Sequence, residues 1–203
     1  HDTRDQTVVQ FVRRYQADEE QIIRVERTAL TLLGQLIQLD APENENDAHF
    51  LRWATSLHEI GVSVAHNEAH KHGAYILTHA DMPGFSKRDQ ARLALLVLGQ
   101  RGKLQKLAAM PVGDPNWRLV FCLRLAVLLH RSREDQPWPN LLVREMPVGF
   151  QIDLPEEWLD ANPMTAAALD DETMRWRRVG IRLRVKALAD QPPTAVEPAR
   201  KPI

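Results

Sequence analysis

The sequence predicts a mainly α-helical protein, in which a helical bundle is followed by a small α+β subdomain. Apolar residues recur at helical spacing through the first two thirds of the chain. Beyond Pro137, apolar and polar residues alternate instead, as is typical of strands with one buried face. The chain has 203 residues, 44% of them hydrophobic and 26% charged, which fits one or two globular domains.

The first two predicted helices are bounded by capping and breaking residues. Asp18 can cap the first helix, and Gln21, three residues on, can complete a capping box. Apolar residues at helical spacing then continue to residue 36, and Pro42 ends the pattern. The second helix begins near Asn46 or Asp47, and Gly61 is its expected stop.

Three further helices complete the predicted bundle. The third spans about residues 67–80 and is closed by the turn that contains Pro83. Ser86, with Asp89 three residues on, opens the fourth. An Asp-Pro pair at 114–115 opens the fifth, which extends to about residue 132. The short loops favour antiparallel neighbours in a bundle.

The pattern changes to α+β after the bundle. Residues 141–145 and 148–154 read as strands, and Pro155 opens a helical stretch that resumes over 164–177. A last strand over 179–186 has one apolar and one basic face. We therefore predict three segments, with a bundle over 1–136, a subdomain over 137–190 and a Pro-rich tail over 191–203 that we expect to be disordered.

Composition excludes several classes of protein. The net charge of −1 gives no global field to attract nucleic acid, and no apolar run is long enough to span a bilayer. No signal peptide is visible at the start, and the lone Cys122 lies in an apolar run. These features predict a buried, reduced thiol in a cytoplasmic protein, or in one peripheral at the membrane. Because the chain starts at His1, without methionine, we expect a fragment of a longer protein.

Charge is unevenly distributed along the chain. Residues 134–172 carry ten Asp or Glu and one Arg, whereas the chain from 173 to the end carries eight Lys or Arg and two acids. Residues 87–106 carry six Lys or Arg and one acid. Such runs indicate a solvated face or, less often, a track for an anionic ligand.

One local motif resembles the His-Asp pair of the HD-domain metal phosphohydrolases. His58 is followed by Glu59 near a predicted helix end, where those enzymes hold a divalent cation that activates water. The upstream metal-binding position of that family is Gln21 here, and the late aspartate position is Val127. An amide and an apolar side chain are poor ligands, so the resemblance implies a degenerate HD-like domain without a metal.

A second histidine cluster covers residues 66–72. His66 and His70 lie four residues apart and would share a helix face, as a zinc pair requires, if the helix already includes His66. No third ligand is evident nearby, which favours capping and core packing. An anion site made of His70, Lys71 and His72 is the other interpretation.

An ordered set of short motifs resembles the exopolyphosphatase and guanosine pentaphosphate phosphohydrolase family. Each motif is short, but together they span nearly the whole chain in the family's order. They are LHEIG at 57–61, HKHGAYIL at 70–77, DMPGF at 81–85, QRGK at 100–103, HRSR at 130–133, LPEEWL at 154–159 and ANPMT at 161–165.

The resemblance implies that this chain is the C-terminal region of such an enzyme. Family members begin with two actin-like domains that carry the phosphate-binding loops, a Mg²⁺ site and the glutamate that activates water. We therefore expect this chain to be inactive alone and to serve an exopolyphosphatase that releases terminal phosphate from inorganic polyphosphate. The alternatives are a guanosine pentaphosphate phosphohydrolase or a stand-alone HD-type metal phosphohydrolase.

The resemblance also implies partners and a polyanion-binding surface. The family's C-terminal region helps to form a homodimer and lines a basic passage for polyphosphate. Gln100 stands where relatives often have His, which predicts a weaker anion contact there. The strand face of Arg182, Arg184 and Lys186 is a rival site. The leading polyphosphate-binding candidates are His70, Lys71, His72, Arg101, Lys103 and Lys106.

Overall fold

The computed structural model describes residues 2–137 and 139–189, and it confirms a mainly α-helical protein with a small α+β part. Six helices form the bundle, and two helices and a three-stranded sheet follow it. The elements are α1 (Thr3–Arg14), α2 (Glu19–Leu36), α3 (Glu45–Leu57), α4 (Ala69–His79), α5 (Lys87–Leu98), α6 (Asn116–Leu129), β1 (Leu142–Met146), β2 (Gly149–Pro155), α7 (Glu156–Ala161), α8 (Pro163–Arg177) and β3 (Arg182–Leu188).

Helix α1 was not predicted from the sequence, although its apolar face is well defined. Val8, Phe11 and Val12 are buried, and Asp2 caps the helix by accepting the backbone N–H of Arg4. Trp53 of α3 donates its indole N–H to Asp5 of α1. This contact ties the first helix to the bundle.

Capping was predicted correctly for α5 and only in part for α2. Ser86 and Asp89 form a complete capping box at α5. Asp18 caps α2 by accepting the N–H groups of Glu20 and Gln21. The predicted capping box at α2 is wrong, because the Gln21 side chain is buried and donates to the His130 carbonyl instead.

A glycine allows the 3₁₀ turn after α3 to pack against α4. The turn spans Ile60–Ser63, and both Ile60 and Gly61 are buried. A Cβ on Gly61 would overlap the backbone of Ala69 and Gly73, so only glycine fits there. Gly61 therefore follows the end of α3 and brings α4 close to it.

The sheet combines one antiparallel pair and one parallel pair, in the order β1-β2-β3. β1 pairs with β2 antiparallel, and β2 pairs with β3 in parallel through the α7–α8 crossover. The last strand begins at Arg182 rather than at 179, because Val179 and Gly180 form the turn after α8. Gly180 has a φ of +79°, which suits glycine.

The helical and α+β parts share one hydrophobic core. Phe121 of α6 stacks on Phe150 of β2 with 4.3 Å between ring centroids. Trp176 of α8 packs edge-on against both Phe121 and Trp117. The two parts therefore bury their apolar faces against each other. The division at 136/137 stays a prediction, and the proposed tail over 191–203 lies outside the described residues.

Candidate anion-binding cleft

A cleft of about 670 Å³ opens where the bundle meets α8. The start of α4, the loop that follows α5, the last turns of α6 and one face of α8 form its walls. Its charged lining residues come from both parts of the chain, and they are Glu68, Arg101, Arg124, Arg131, Asp171, Glu172 and Arg175, with His70 beside them.

Two of the predicted anion-binding residues, His70 and Arg101, line this cleft, and Lys106 lies beside them. His70 is the second residue of α4 and is 6% exposed. A Cβ placed on Gly102 would lie 3.4 Å from Lys106 Nζ and 3.6 Å from His70 Nε2. Lys106 Nζ donates to the Arg101 carbonyl at 2.6 Å. Gly102, with a φ of +78°, lets the loop turn tightly between these side chains.

Burial and clustered charge alter the protonation of this group. Burial, reinforced by Lys106 and Arg101, lowers the pKa of His70 to about 4. Burial and then Arg124 lower the pKa of Lys106 to about 8. Within the described part of the chain, His70 Nδ1 is buried without a hydrogen-bond partner. At neutral pH, His70 is therefore an uncharged group beside a Lys and an Arg.

Arg124 lines the cleft, but its hydrogen-bonding groups are already used. Its guanidinium forms a two-point ion pair with Glu172, at 2.6 and 2.8 Å. It also donates to the carbonyls of Gly99 and Gly102, at 3.0 and 2.6 Å. Arg124 thus fixes the loop of residues 99–102 against α8 and stabilises the shape of the cleft.

Two arginines that were not among the predicted candidates face the cleft. Arg131 follows α6 and has one long contact, from its guanidinium to the Thr165 hydroxyl at 3.5 Å. Arg175 of α8 forms no ion pair within residues 2–137 and 139–189. Arg131 belongs to the HRSR motif and Arg175 to the basic C-terminal run, so both signals were present in the sequence. What the sequence did not show is that α8 packs beside α6 and lines the same cleft as the start of α4.

The other predicted candidates lie outside the cleft wall. Lys71 is exposed and pairs with Glu68 at 2.9 Å, whereas Lys103 is exposed in the loop. His72 is half-buried on α4 and does not line the cleft. Lys103 and Lys106 would share a face only if the stretch between them were helical, and the structure forms just a 3₁₀ turn over Gln105–Leu107 there. Gln100 lines the cleft, but its amide donates to the carbonyls of His58 and Val97.

The side chains at the four degenerate HD positions make different contacts. Glu59 accepts two hydrogen bonds from Arg133, at 2.7 and 3.0 Å, and Arg133 also pairs with Asp18. His58 is buried, its Nδ1 lies 2.5 Å from the Thr55 carbonyl, and burial lowers its pKa. The Gln21 side chain donates a hydrogen bond to the His130 carbonyl at the end of α6. Val127 faces the cleft.

The structure does not bring together the proposed zinc pair. Helix α4 begins at Ala69, so His66 lies before it and lines a separate cavity with Glu59 and Arg133. In residues 2–137 and 139–189, no group of three or more His, Cys, Asp or Glu side chains could hold a metal ion. We therefore assign none of the described side chains to Mg²⁺.

Two compositional expectations can be compared with the structure. Cys122 is fully buried in α6, and burial raises the pKa of its thiol, as expected of a packing residue. None of the helices in the described ranges is long and apolar enough to cross a membrane.

Comparison with known proteins places the chain beside phosphatases. Residues 3–173 match the family described as Ppx/GppA phosphatase, domain III. The chain is 32% identical over 184 residues to a guanosine-5'-triphosphate,3'-diphosphate pyrophosphatase of Aeromonas hydrophila, covering 88% of this chain. It is 29% identical over 185 residues to the protein of that name from Pseudoalteromonas translucida, covering 90% of this chain. In both cases the chain spans 37% of the length of the relative.

Proposed function

Because this chain belongs to the Ppx/GppA phosphatase family as its domain III, we propose that it holds the phosphate chain of a substrate for catalytic domains outside this chain. The cleft between the bundle and α8 is the proposed binding site. One observation carries the proposal: the cationic side chains of Arg101, Arg131 and Arg175 line this cleft from separate elements, and Lys106 lies beside Gly102 in its wall.

The chemistry of these groups suits a phosphate chain. Arginine guanidinium groups bind phosphate oxygens through paired N–H donors, and Lys106 adds a point charge. His70 is neutral at pH 7 and buried, so it acts as a hydrogen-bonding group rather than as a cation. The acidic residues Glu68 and Asp171 line the same cleft, which keeps its net charge moderate. Moderate attraction suits a ligand that must advance as terminal phosphates are removed.

We propose inorganic polyphosphate as the ligand and an exopolyphosphatase as the parent enzyme. Guanosine pentaphosphate is the second candidate, and the names of the two relatives favour it. A stand-alone HD-type phosphohydrolase is the weakest proposal, because Gln21 and Val127 supply no ligand. Binding of the two phosphate compounds to this chain, measured side by side, separates the first two.

The assembly that we propose follows from the family. This chain would pack against the enzyme's own actin-like domains, where Mg²⁺ and the catalytic glutamate reside, and would form a homodimer. We propose a cytoplasmic location, or a peripheral one at the membrane.

The experiment that tests the cleft compares two pairs of charge removals. Arg101→Ser with Arg175→Ser removes one exposed and one half-buried cleft cation, and Arg13→Ser with Lys87→Ser removes two exposed cations elsewhere. We expect the cleft pair to weaken polyphosphate binding about tenfold and to lower its salt dependence by roughly one or two ion equivalents. The control pair should change both values much less. Equal effects of the two pairs would contradict the proposed site.

A further inference from the structure

The two edges of the sheet differ in how their backbone groups are satisfied. At the β1 edge, the Gln35 side chain of α2 accepts the N–H of Val143 at 2.7 Å and donates to the Leu141 carbonyl at 3.3 Å. This side chain satisfies two of the outward backbone groups at the start of β1. Such cover is a common way to protect an edge strand.

The opposite edge, along β3, has no such cover. The N–H of Arg182 donates to the Val148 carbonyl. Because backbone groups alternate in direction along a strand, those of Arg182, Arg184 and Lys186 all point toward β2. The backbone groups of Leu183, Val185 and Ala187 therefore point away from the sheet. Among the described residues, no hydrogen bond reaches these outward N–H and C=O groups.

A groove and a set of unpaired cations lie along this open edge. The groove measures about 600 Å³ and is lined by Thr173 and Arg177 of α8 and by β3 itself. The side chains of Arg182, Arg184 and Lys186 share the exposed face of β3. Within residues 2–137 and 139–189, none of these three nor Arg177 forms an ion pair.

We infer that the outer edge of β3 binds an extended acidic segment of a partner protein, which adds a fourth strand to the sheet. The outward groups of Leu183, Val185 and Ala187 would pair with the backbone of that segment. Acidic side chains at alternate positions would lie beside Arg182, Arg184 and Lys186, since cross-strand neighbours share a face. The inference uses a surface distinct from the cleft and does not depend on the proposed function.

Charge complementarity selects this occupant over two others. A second copy of β3, paired antiparallel about Arg184, would place Arg182 opposite Lys186 and Arg184 opposite itself, and like charges across strands are destabilising. The chain's own residues 191–203 contain four prolines, which lack the N–H that a strand needs, together with the basic Arg200 and Lys201. A polyanion without a backbone would satisfy the cations but not the open edge.

The test uses a synthetic heptapeptide, Thr-Glu-Val-Glu-Val-Glu-Thr, capped at both ends and titrated into the whole chain at low salt. We expect saturable binding with a dissociation constant below about 1 mM, and we expect it to be lost in one of two versions of the peptide in which alternate backbone amides are N-methylated. Each methylated peptide keeps every carboxylate, but one of its two edges lacks the N–H donors that pairing with a strand requires. Two methylated versions, offset by one residue, identify the edge that is used.

Matched variants of the protein test the same contact from the other side. Ala187→Pro removes one outward N–H and leaves the β2 ladder intact, whereas Ala187→Val keeps that N–H at the same exposed position. We expect the proline variant to bind the peptide about 3- to 10-fold more weakly than the valine variant. Arg182→Ser with Arg184→Ser should weaken binding and reduce its salt dependence.

Three results would overturn the inference. The first is no saturable binding of the peptide, which would leave the β3 charges as protection of an edge strand. The second is equal binding of the peptide and both methylated versions, with full displacement by inorganic polyphosphate, which would identify a polyanion patch. The third is sedimentation showing that the chain pairs with itself through β3 and that Ala187→Pro abolishes the pairing. Because the peptide controls use the unmodified chain, a variant that fails to fold does not decide the result.

Discussion

His70 combines burial, a neutral ring and nearby positive charge. The side chain is held at the start of α4, close to Gly102 and Lys106, where a protonated ring would face two cations and little water. The pKa of His70 is therefore lowered to about 4, and burial also lowers the pKa of His130 to about 4. Both rings are neutral in the folded protein at pH 7.

The lowered pKa of His70 predicts how the stability of the protein depends on pH. In the unfolded chain a histidine takes up a proton near pH 6.5, whereas folded His70 does so only near pH 4. Between these values the unfolded state binds more protons, so the free energy of unfolding should fall as pH falls from about 6.5 to 4. His70→Gln should make this fall shallower in urea unfolding measured at pH 7, 6 and 5.

A surface histidine provides the control for that experiment. His79→Gln alters an exposed residue at the end of α4 and should leave the slope close to that of the unmodified chain. A slope unchanged by His70→Gln would show that the ring is protonated as readily in the folded state as in the unfolded chain. Such a result would contradict the buried, neutral His70 described above.

At the scale of elements, the position of α4 depends on the 3₁₀ turn that follows α3. Gly61 in this turn contacts the backbone of α4 at Ala69 and Gly73. His70 immediately follows Ala69, so this contact also sets the position of the cleft histidine. Local sequence patterns predicted the two helices, but they could not predict how closely these approach each other.

Gly61→Ala should therefore disturb both stability and the cleft. An added Cβ would overlap the backbone, and overpacking of this kind costs about 1–3 kcal/mol, occasionally more. Gly113→Ala is the matched control, because a Cβ there meets no atom within 4 Å and the φ is ordinary. Urea unfolding of both variants measures the difference. A Gly61→Ala variant as stable as Gly113→Ala would contradict the close approach.

At the scale of the whole molecule, the sequence predicted the helices and strands better than the contacts between distant elements. Local spacing and capping signals located five of the bundle helices, the two strands of the hairpin and the basic strand. Helix α1 was missed, although its cap Asp2 and the helical spacing of Val8, Phe11 and Val12 are both present in the sequence. The pairing of Arg124 with Glu172 joins residues 48 positions apart, and no local pattern encodes it.

The same limit explains which cleft residues were predicted. His70, Arg101 and Lys106 belong to conspicuous runs of charge and histidine, so composition was sufficient to select them. Arg131 and Arg175 became candidates only once α8 was seen to pack beside α6. Composition equally selected Lys71 and Lys103, which the fold directs elsewhere, because local charge does not report which face a side chain occupies.

Self-association is a prediction for the chain as a whole. The family resemblance implies a homodimer, and several large apolar side chains are exposed, among them Tyr75, Met164 and Val148. We expect sedimentation velocity to reveal a dimer at protein concentrations of tens of micromolar, which is roughly where association through a modest interface becomes detectable. A monomer across that range would contradict the expectation.

The cleft as a polyphosphate site is the central claim, and mapping of backbone amide NMR shifts tests it most directly. Inorganic polyphosphate of about ten units would be titrated into the isotope-labelled chain at low salt, where contacts to phosphate are strongest. The account predicts the largest shifts at residues 67–70, 100–106 and 171–175, which meet at the cleft. Shifts confined to β3, around Arg182 and Arg184, or no shifts at all, would contradict it.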